Sequence, residues 1–149
     1  MPALRAFLVE NSPVIRENLA GTLEELANVE VIGSAGDEES AVHWMSREAA
    51  GKADVVIVDI FLNSGNGLGV LRAAQRLGVA ARRIVLTNYA TDDVRRRCAT
   101  LGAERVFDKC GQLDELISYC ADLAAGGPSQ LASLPTGVEQ VAVTSLPNS

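Results

Sequence analysis

Short β-branched runs alternate along this chain with longer segments in which apolar residues return every three or four positions. Arg5–Glu10 (RAFLVE) reads as the first strand. Ser12 and Pro13 follow it. Serine accepts hydrogen bonds from a helix's first turn, and proline suits the first helical position, where an N–H has no partner anyway. Ile15, Leu19, Leu23 and Leu26 fall on one stripe, which predicts an amphipathic helix with those residues inward. Val29–Ala35 (VEVIGSA) reads as a second strand near a sheet edge, because polar residues interrupt it. Asp37 is expected to cap a helix that turns Ala41, Val42 and Met45 inward.

Val55–Asp59 (VVIVD) is a continuous apolar run closed by an acid, the pattern of a strand buried on both faces. An Asn-Ser-Gly-Asn-Gly loop leads to a helix with Leu68, Leu71 and Ala74 on one side. Arg83–Thr87 (RIVLT) is the fourth strand. Thr91 caps the next helix, with Asp92 and Asp93 in a first turn that favours acid. Val94, Cys98 and Leu101 form its apolar stripe. Arg105–Asp108 is a short fifth strand, and Leu113, Leu116, Ile117, Cys120 and Leu123 mark the last amphipathic helix.

Five βα units in a row predict an α/β fold, a parallel sheet with helices on both faces. The pattern stops at Gly126-Gly127-Pro128. Residues 1–125 are therefore expected to form one domain and 126–149, rich in Ser, Pro, Gly and Thr, a flexible tail. Within that tail Val138–Val143 (VEQVAV) has a pattern that could add a strand or dock on a partner, but a solvated segment is the expectation.

Composition narrows the function classes. At 149 residues and 48% hydrophobic, the chain has ample material for a core. Its 13 Lys+Arg against 19 Asp+Glu give a net charge of −6, which opposes a nucleic-acid surface. No run approaches the roughly 18 apolar residues of a membrane span. The start, MPALRAFLVEN, turns acidic too soon for a signal peptide. Cys98, Cys110 and Cys120 fit neither a disulfide framework nor a zinc pattern, and read as reduced thiols. The expectation is a cytoplasmic domain with neither nucleic acid nor membrane as partner.

Open parallel sheets bind ligands outside the carboxyl ends of their strands. Here those ends carry Glu10–Asn11–Ser12, Asp59, Thr87–Asn88 and Asp108–Lys109. Each has a bland reading by itself: a turn aspartate, a surface lysine, a strand-ending threonine. Together they supply a carboxylate pair, a hydroxyl and an ammonium, the parts that hold a divalent cation and a phosphoryl group. Lone His43 resembles no ligand set and reads as a surface residue. The Arg95–Arg96–Arg97 run reads as a solvated helix face, or more sharply as a docking surface for an acidic partner.

Through the segments FLVENSPVIRENL, VVIVDIFLNSGNGLGVL, RIVLTNYA and LGAERVFDKC, the chain from about Leu4 to Leu123 resembles the receiver domain of bacterial two-component response regulators. The resemblance implies a doubly wound, flavodoxin-like sheet of order 2-1-3-4-5. It implies a non-enzymatic switch that takes a phosphoryl group from a sensor histidine kinase or phosphotransfer protein, with Mg²⁺ required, and signals to a downstream protein target. Asp59 matches the phosphoacceptor, Thr87 the hydroxyl that bonds the phosphoryl oxygen, and Lys109 the ammonium that pairs with Asp59. Glu10, Asn11, Asp59 and the Phe61 backbone carbonyl match the Mg²⁺ ligands, and Gly67 the glycine opening the following helix.

Several positions depart from the family pattern. Asn11 stands where a carboxylate ligand is usual, so Mg²⁺ binding is expected to be weakened, with Glu10 compensating in part. Cys110 replaces a proline usually joined through a cis bond, so a trans or strained peptide is expected. Val106 occupies the place of a switching aromatic, and Phe107 falls on the opposite face of the strand. Phe61 and Tyr89 are expected to flank the mouth and keep water from a phosphorylated Asp59. The leading reading is a stand-alone, phosphorylatable receiver that works by protein–protein interaction. A receiver-like module independent of phosphorylation is the alternative. A small enzyme or flavin carrier ranks last, because Glu10–Asn11–Ser12–Pro13 makes a poor phosphate cradle.

Overall fold

The computed structural model describes residues 3–47, 51–62 and 64–126. Strands β1 (Leu4–Val9), β2 (Val29–Ala35), β3 (Val55–Val58), β4 (Arg82–Thr87) and β5 (Ala103–Asp108) alternate with helices α1 (Pro13–Leu26), α2 (Glu38–Met45), α3 (Gly67–Leu77), α4 (Asp92–Thr100) and α5 (Leu113–Ala124). The sheet is parallel throughout, in the order β2-β1-β3-β4-β5. The predicted flavodoxin-like topology is therefore the one found. Asn63 of the β3–α3 loop and the tail from residue 127, including Val138–Val143, lie outside the described residues.

Side-chain alternation along the central strands builds two cores. Phe7, Val9, Val56, Val58 and Val85 point to one face and meet Ala41, Met45, Leu71, Ala74 and Cys98 of α2, α3 and α4. Ala6, Leu8, Ile57, Ile84 and Phe107 point to the other and meet Leu19, Leu23, Leu116 and Cys120 of α1 and α5. The four residues of β3 are all buried, as a run without polar interruption requires.

Caps fall where the sequence places them. Ser12, Asp37 and Thr91 each accept an N–H from the first turn of α1, α2 and α4. Asn66 does the same for α3 by accepting from Gly69.

The structure corrects the expected α1 stripe. Leu19 and Leu23 are buried, but Ile15 is 43% and Leu26 61% exposed. They sit in the first and last turns, lining open clefts between α1 and the two ends of α5. β2 and β5 are the sheet edges, and each is interrupted: register shifts fall at Ile32, between Ala6 and Phe7 of the neighbouring strand, and at Glu104, between Arg83 and Ile84. Such irregularities blunt an edge that another chain could otherwise extend. Trp44 reaches over Gly33 of β2 to stack on Phe7, with rings 3.9 Å apart and 5° from parallel. A Cβ at Gly33 would stand 2.6 Å from the indole nitrogen, so only glycine leaves that path open.

Candidate functional site

All the predicted polar strand ends open on one edge of the sheet. Asp59 follows β3 directly, and its N–H donates to the Val9 carbonyl at 2.9 Å, continuing the sheet bonding for one residue. Glu10 leaves β1 in the same way, donating to Ala35 O at 3.0 Å. Lys109 follows β5 and donates its N–H to Thr87 O at 2.9 Å. Residues from β1, β3 and β5, far apart in sequence, thus meet because three parallel strands stop at one level.

The Lys109 ammonium joins the two acids. Its Nζ lies 2.6 Å from Glu10 Oε1 and 2.9 Å from Asp59 Oδ2. Glu10 is 3% and Asp59 7% exposed, so this is a largely dry cluster with one negative charge in excess. The remaining carboxylate oxygens are also engaged. Glu10 Oε2 accepts the Ser12 N–H at 3.1 Å, and Asp59 Oδ1 accepts the Phe61 N–H at 3.1 Å. Burial pushes the Asp59 carboxyl above its ordinary value, against the pull of Lys109 and the Phe61 N–H. At Lys109 burial works to lower the ammonium's value, but Glu10 and Asp59 outweigh it and the net shift is upward.

Thr87 is fully buried at the end of β4, the strand next to Asp59, and its hydroxyl oxygen accepts the Tyr89 N–H at 3.3 Å. Asn11 follows Glu10, half-buried at the same mouth. Gly67 starts α3 with its N–H on Ile60 O at 2.8 Å. A Cβ there would stand 2.3 Å from the Asp59 carbonyl oxygen, so the position admits only glycine without moving backbone.

As oxygen donors, Glu10, Asn11, Asp59 and the Phe61 carbonyl are hard ligands of the type Mg²⁺ takes. That ion usually keeps several waters and uses one or two carboxylates, and two stand here. Among the described residues no group of three or more His, Cys, Asp or Glu side chains surrounds a metal position. The donor set fits Mg²⁺ in kind, with an uncharged amide at Asn11 beside the two carboxylates.

The rim matches expectation in most respects. Phe61 and Tyr89 do meet, with ring centroids 4.8 Å apart and edges turned to faces, and both remain exposed. Phe107 packs with α1 and α5 while Val106 packs on the opposite core. The described residues contain no cis peptide bond, so Lys109–Cys110 is trans. Cys110 is exposed, whereas Cys98 and Cys120 are buried, and burial pushes the Cys120 thiol up to about 12. His43 is exposed as expected.

The three-arginine run requires correction. Arg95 turns inward and donates to Ala90 O, Val106 O and Gln112 Oε1, tying α4 to β5 and α5. Only Arg96 and Arg97 face solvent, and both pair with Asp93. A second arginine escaped the sequence reading: Arg16 of α1 donates to the Glu10 carbonyl at 2.7 Å and steadies the turn that carries Glu10 and Asn11. Nothing in its helical spacing marked it out.

The model of the response regulator receiver domain matches residues 6–121. The DNA-binding transcriptional activator DevR/DosR of Mycobacterium tuberculosis is 29% identical over 123 residues, covering 83% of this chain and 55% of that protein. This chain therefore spans about half of that relative's length. A protein-glutamate methylesterase/protein-glutamine glutaminase 5 of Anaeromyxobacter dehalogenans is 41% identical over 69 residues, 46% of this chain and 18% of that protein. Among solved structures, a LuxR-family two-component response regulator from Aurantimonas sp. SI85-9A1 superposes with a TM-score of 0.73 at 22% identity, covering 84% of this chain and 87% of that one. Receiver domains generally bind Mg²⁺ at the phosphorylation site and interact with histidine kinases or phosphotransfer proteins. No helix among the described residues is long and apolar enough to cross a membrane. With Glu10, Asp59, Thr87 and Lys109 inside the matched span and gathered at the mouth of a 2-1-3-4-5 sheet, the chain belongs to the response regulator receiver domain family.

Proposed function

We propose that Asp59 accepts a phosphoryl group from the phosphohistidine of a sensor kinase or phosphotransfer protein, and that the resulting state is read by a protein partner in the cytoplasm. One observation carries this reading. A carboxylate with 7% exposure sits at a strand end, held from one side by an ammonium at 2.9 Å and from the other by the Phe61 N–H. Two fixed donors aim its oxygens, which substitutes for part of the entropy lost in aligning a bimolecular attack.

In the transfer, one Asp59 oxygen forms the O–P bond while the donor's P–N bond breaks, and the imidazole nitrogen leaves with the electron pair. Lys109 stays between Glu10 and Asp59, where its charge offsets the negative charge gathering on the phosphoryl oxygens. The Thr87 hydroxyl, one strand over, has its hydrogen to donate to a phosphoryl oxygen after transfer, since its present bond from the Tyr89 N–H is one it accepts. Glu10, Asn11, Asp59 and the Phe61 carbonyl would hold Mg²⁺, which would supply charge neutralisation and alignment of the phosphoryl group. Asn11 would offer the ion an amide oxygen without formal charge, which would weaken its binding relative to a carboxylate there. The exposed Phe61–Tyr89 pair crowds the approach of water to the aspartyl phosphate. Output runs through protein contacts rather than nucleic acid, in keeping with the net charge of −6.

The test is intact mass after incubation with Mg²⁺ and a small acyl phosphate. A single phosphoryl adduct is expected, lost in Asp59→Ala. Asn11 and Val106 favour a second reading, a receiver-like interaction module that needs no phosphorylation. Failure to form an adduct over a wide Mg²⁺ range, including with the cognate kinase, would favour that second reading instead.

A further inference from the structure

Glu38 opens α2, away from the mouth, yet its side chain reaches the polypeptide that follows Asp59. Glu38 Oε1 accepts the Asn66 N–H at 3.0 Å, and the Glu38 N–H donates to Ser64 O at 3.1 Å. Two glycines close on the same side chain. A Cβ at Gly65 would stand 2.4 Å from the Glu38 Cβ, and one at Gly69 2.3 Å from its Oε2. Gly65 also has a φ of +76°, a conformation that residues with a Cβ rarely adopt. Glu38 is the first residue of α2, which Asp37 caps, and its carboxylate bonds the N-cap residue of α3. Helix N-termini carry the positive end of the helix dipole, so a carboxylate is favoured at both.

From Asn66 the contacts lead back to the phosphoacceptor. Asn66 pairs with Phe61 in an antiparallel bridge. Next to it, Gly67 donates to Ile60 O and seats against the Asp59 carbonyl, where no Cβ fits. The Phe61 N–H in turn holds Asp59 Oδ1 at 3.1 Å. Glu38 is therefore joined to the reacting carboxylate through backbone alone, without a group of its own in the mouth.

We infer that Glu38 is a positioning residue for phosphoryl transfer: its carboxylate fixes Asn66, and so sets the orientation of the Phe61 peptide that aims Asp59 and offers a carbonyl to Mg²⁺. The inference deepens the proposed function and rests on Asp59 being the phosphoacceptor. A purely structural tie between α2 and α3 would move stability without moving the Mg²⁺ requirement, and this difference separates the two.

The experiment uses the full chain with Glu38→Ala, Glu38→Gln and Gly69→Ala. It reads the Mg²⁺ concentration for half-maximal labelling by an acyl phosphate, and hydrogen exchange at the Phe61 and Asn66 amides without Mg²⁺. Glu38→Ala is expected to raise the Mg²⁺ midpoint about tenfold, the scale on which outer groups orienting metal ligands act. Exchange at both amides should quicken. Glu38→Gln keeps an acceptor oxygen and should recover most of both effects. Gly69→Ala pushes the carboxylate aside while improving helix propensity in α3, so its midpoint should shift with stability held or raised. Combining Glu38→Ala with Gly69→Ala should add no further shift, since both remove one interaction. An unmoved midpoint in Gly69→Ala overturns the inference, and that variant decides the matter even where Glu38→Ala fails to fold. If the wild type takes no phosphoryl group at any Mg²⁺ concentration, the reading of Asp59 falls and the role of Glu38 with it. A labelled wild type whose midpoint the variants leave unchanged removes the role of Glu38 alone.

Discussion

Replacing Lys109 by methionine removes an ammonium while keeping most of its stem, which lines a cleft with Ile15, Leu19, Leu86 and Leu113. Little packing is lost, so the change isolates the charge. Glu10 and Asp59, 3% and 7% exposed, then share the mouth with no cation between them. Removing one partner from a buried ion pair costs about 3–5 kcal/mol, because the remaining charge stays desolvated and unpaired. Against a typical total of about 5–15 kcal/mol, that is a large share of the domain's stability.

The loss should depend on pH in a definite direction. Burial already holds Asp59 above 3.8 with Lys109 pulling it down, and without Lys109 it rises further. A carboxyl raised in the folded state adds stability below its unfolded value and loses it as pH climbs through the folded one. The deficit of Lys109→Met is therefore expected to be small at acid pH, where Asp59 is protonated, and to grow through the window in which pH rises past the raised Asp59 value. The wild-type ammonium, raised above 10.5, keeps its contribution across that whole window, since it is lost only as pH rises through the raised value. Urea unfolding at several pH values measures the gap. Equal stability of the two proteins at the alkaline end would refute the argument, and a deficit that does not change with pH would refute it and assign Lys109's role to packing.

Three further outcomes follow from the same geometry. Asn11→Asp should lower the Mg²⁺ midpoint for labelling about tenfold, since ligand charge count governs affinity for a hard cation, and should destabilise the metal-free protein by like-charge repulsion; a midpoint at or above the wild-type value counts against Asn11 as a ligand. Phe61→Asn should speed hydrolysis of the aspartyl phosphate, followed as decay of the adduct mass, by opening the face now crowded by Phe61 and Tyr89; equal or slower decay refutes the shielding. Gly67→Ala places a methyl against the Asp59 carbonyl, which backbone cannot yield easily; it should lower stability by about 1–3 kcal/mol in thermal or urea unfolding and reduce labelling as well.

Much of the architecture was written in local pattern. VVIVD declares a strand buried on both faces and an acid at its end, because alternation and burial act residue by residue. Ser12, Asp37 and Thr91 were legible as caps for the same reason: each bonds an N–H only three residues away. The site was legible as a set of strand ends, since a parallel sheet must bring those ends to one side. What the pattern misjudged lay at the ends of elements. Ile15 and Leu26 satisfy the helical period, but at the terminal turns the cleft between α1 and α5 stays open and leaves them exposed.

The amino-acid order by itself determined the alternation of strands and helices, the residues of the two cores and the chemical types at the mouth. The pairing of Lys109 with both Glu10 and Asp59, across 99 and 50 residues, was decided only when β1, β3 and β5 came to one edge. Tertiary structure likewise turned Arg95 inward, set Arg16 on the Glu10 carbonyl and brought Glu38 to Asn66. Periodicity reports which face of an element is buried, because solvent exclusion repeats with the backbone. A hydrogen bond between two elements depends on how far each overhangs the other, and that is settled by the packing of the whole sheet.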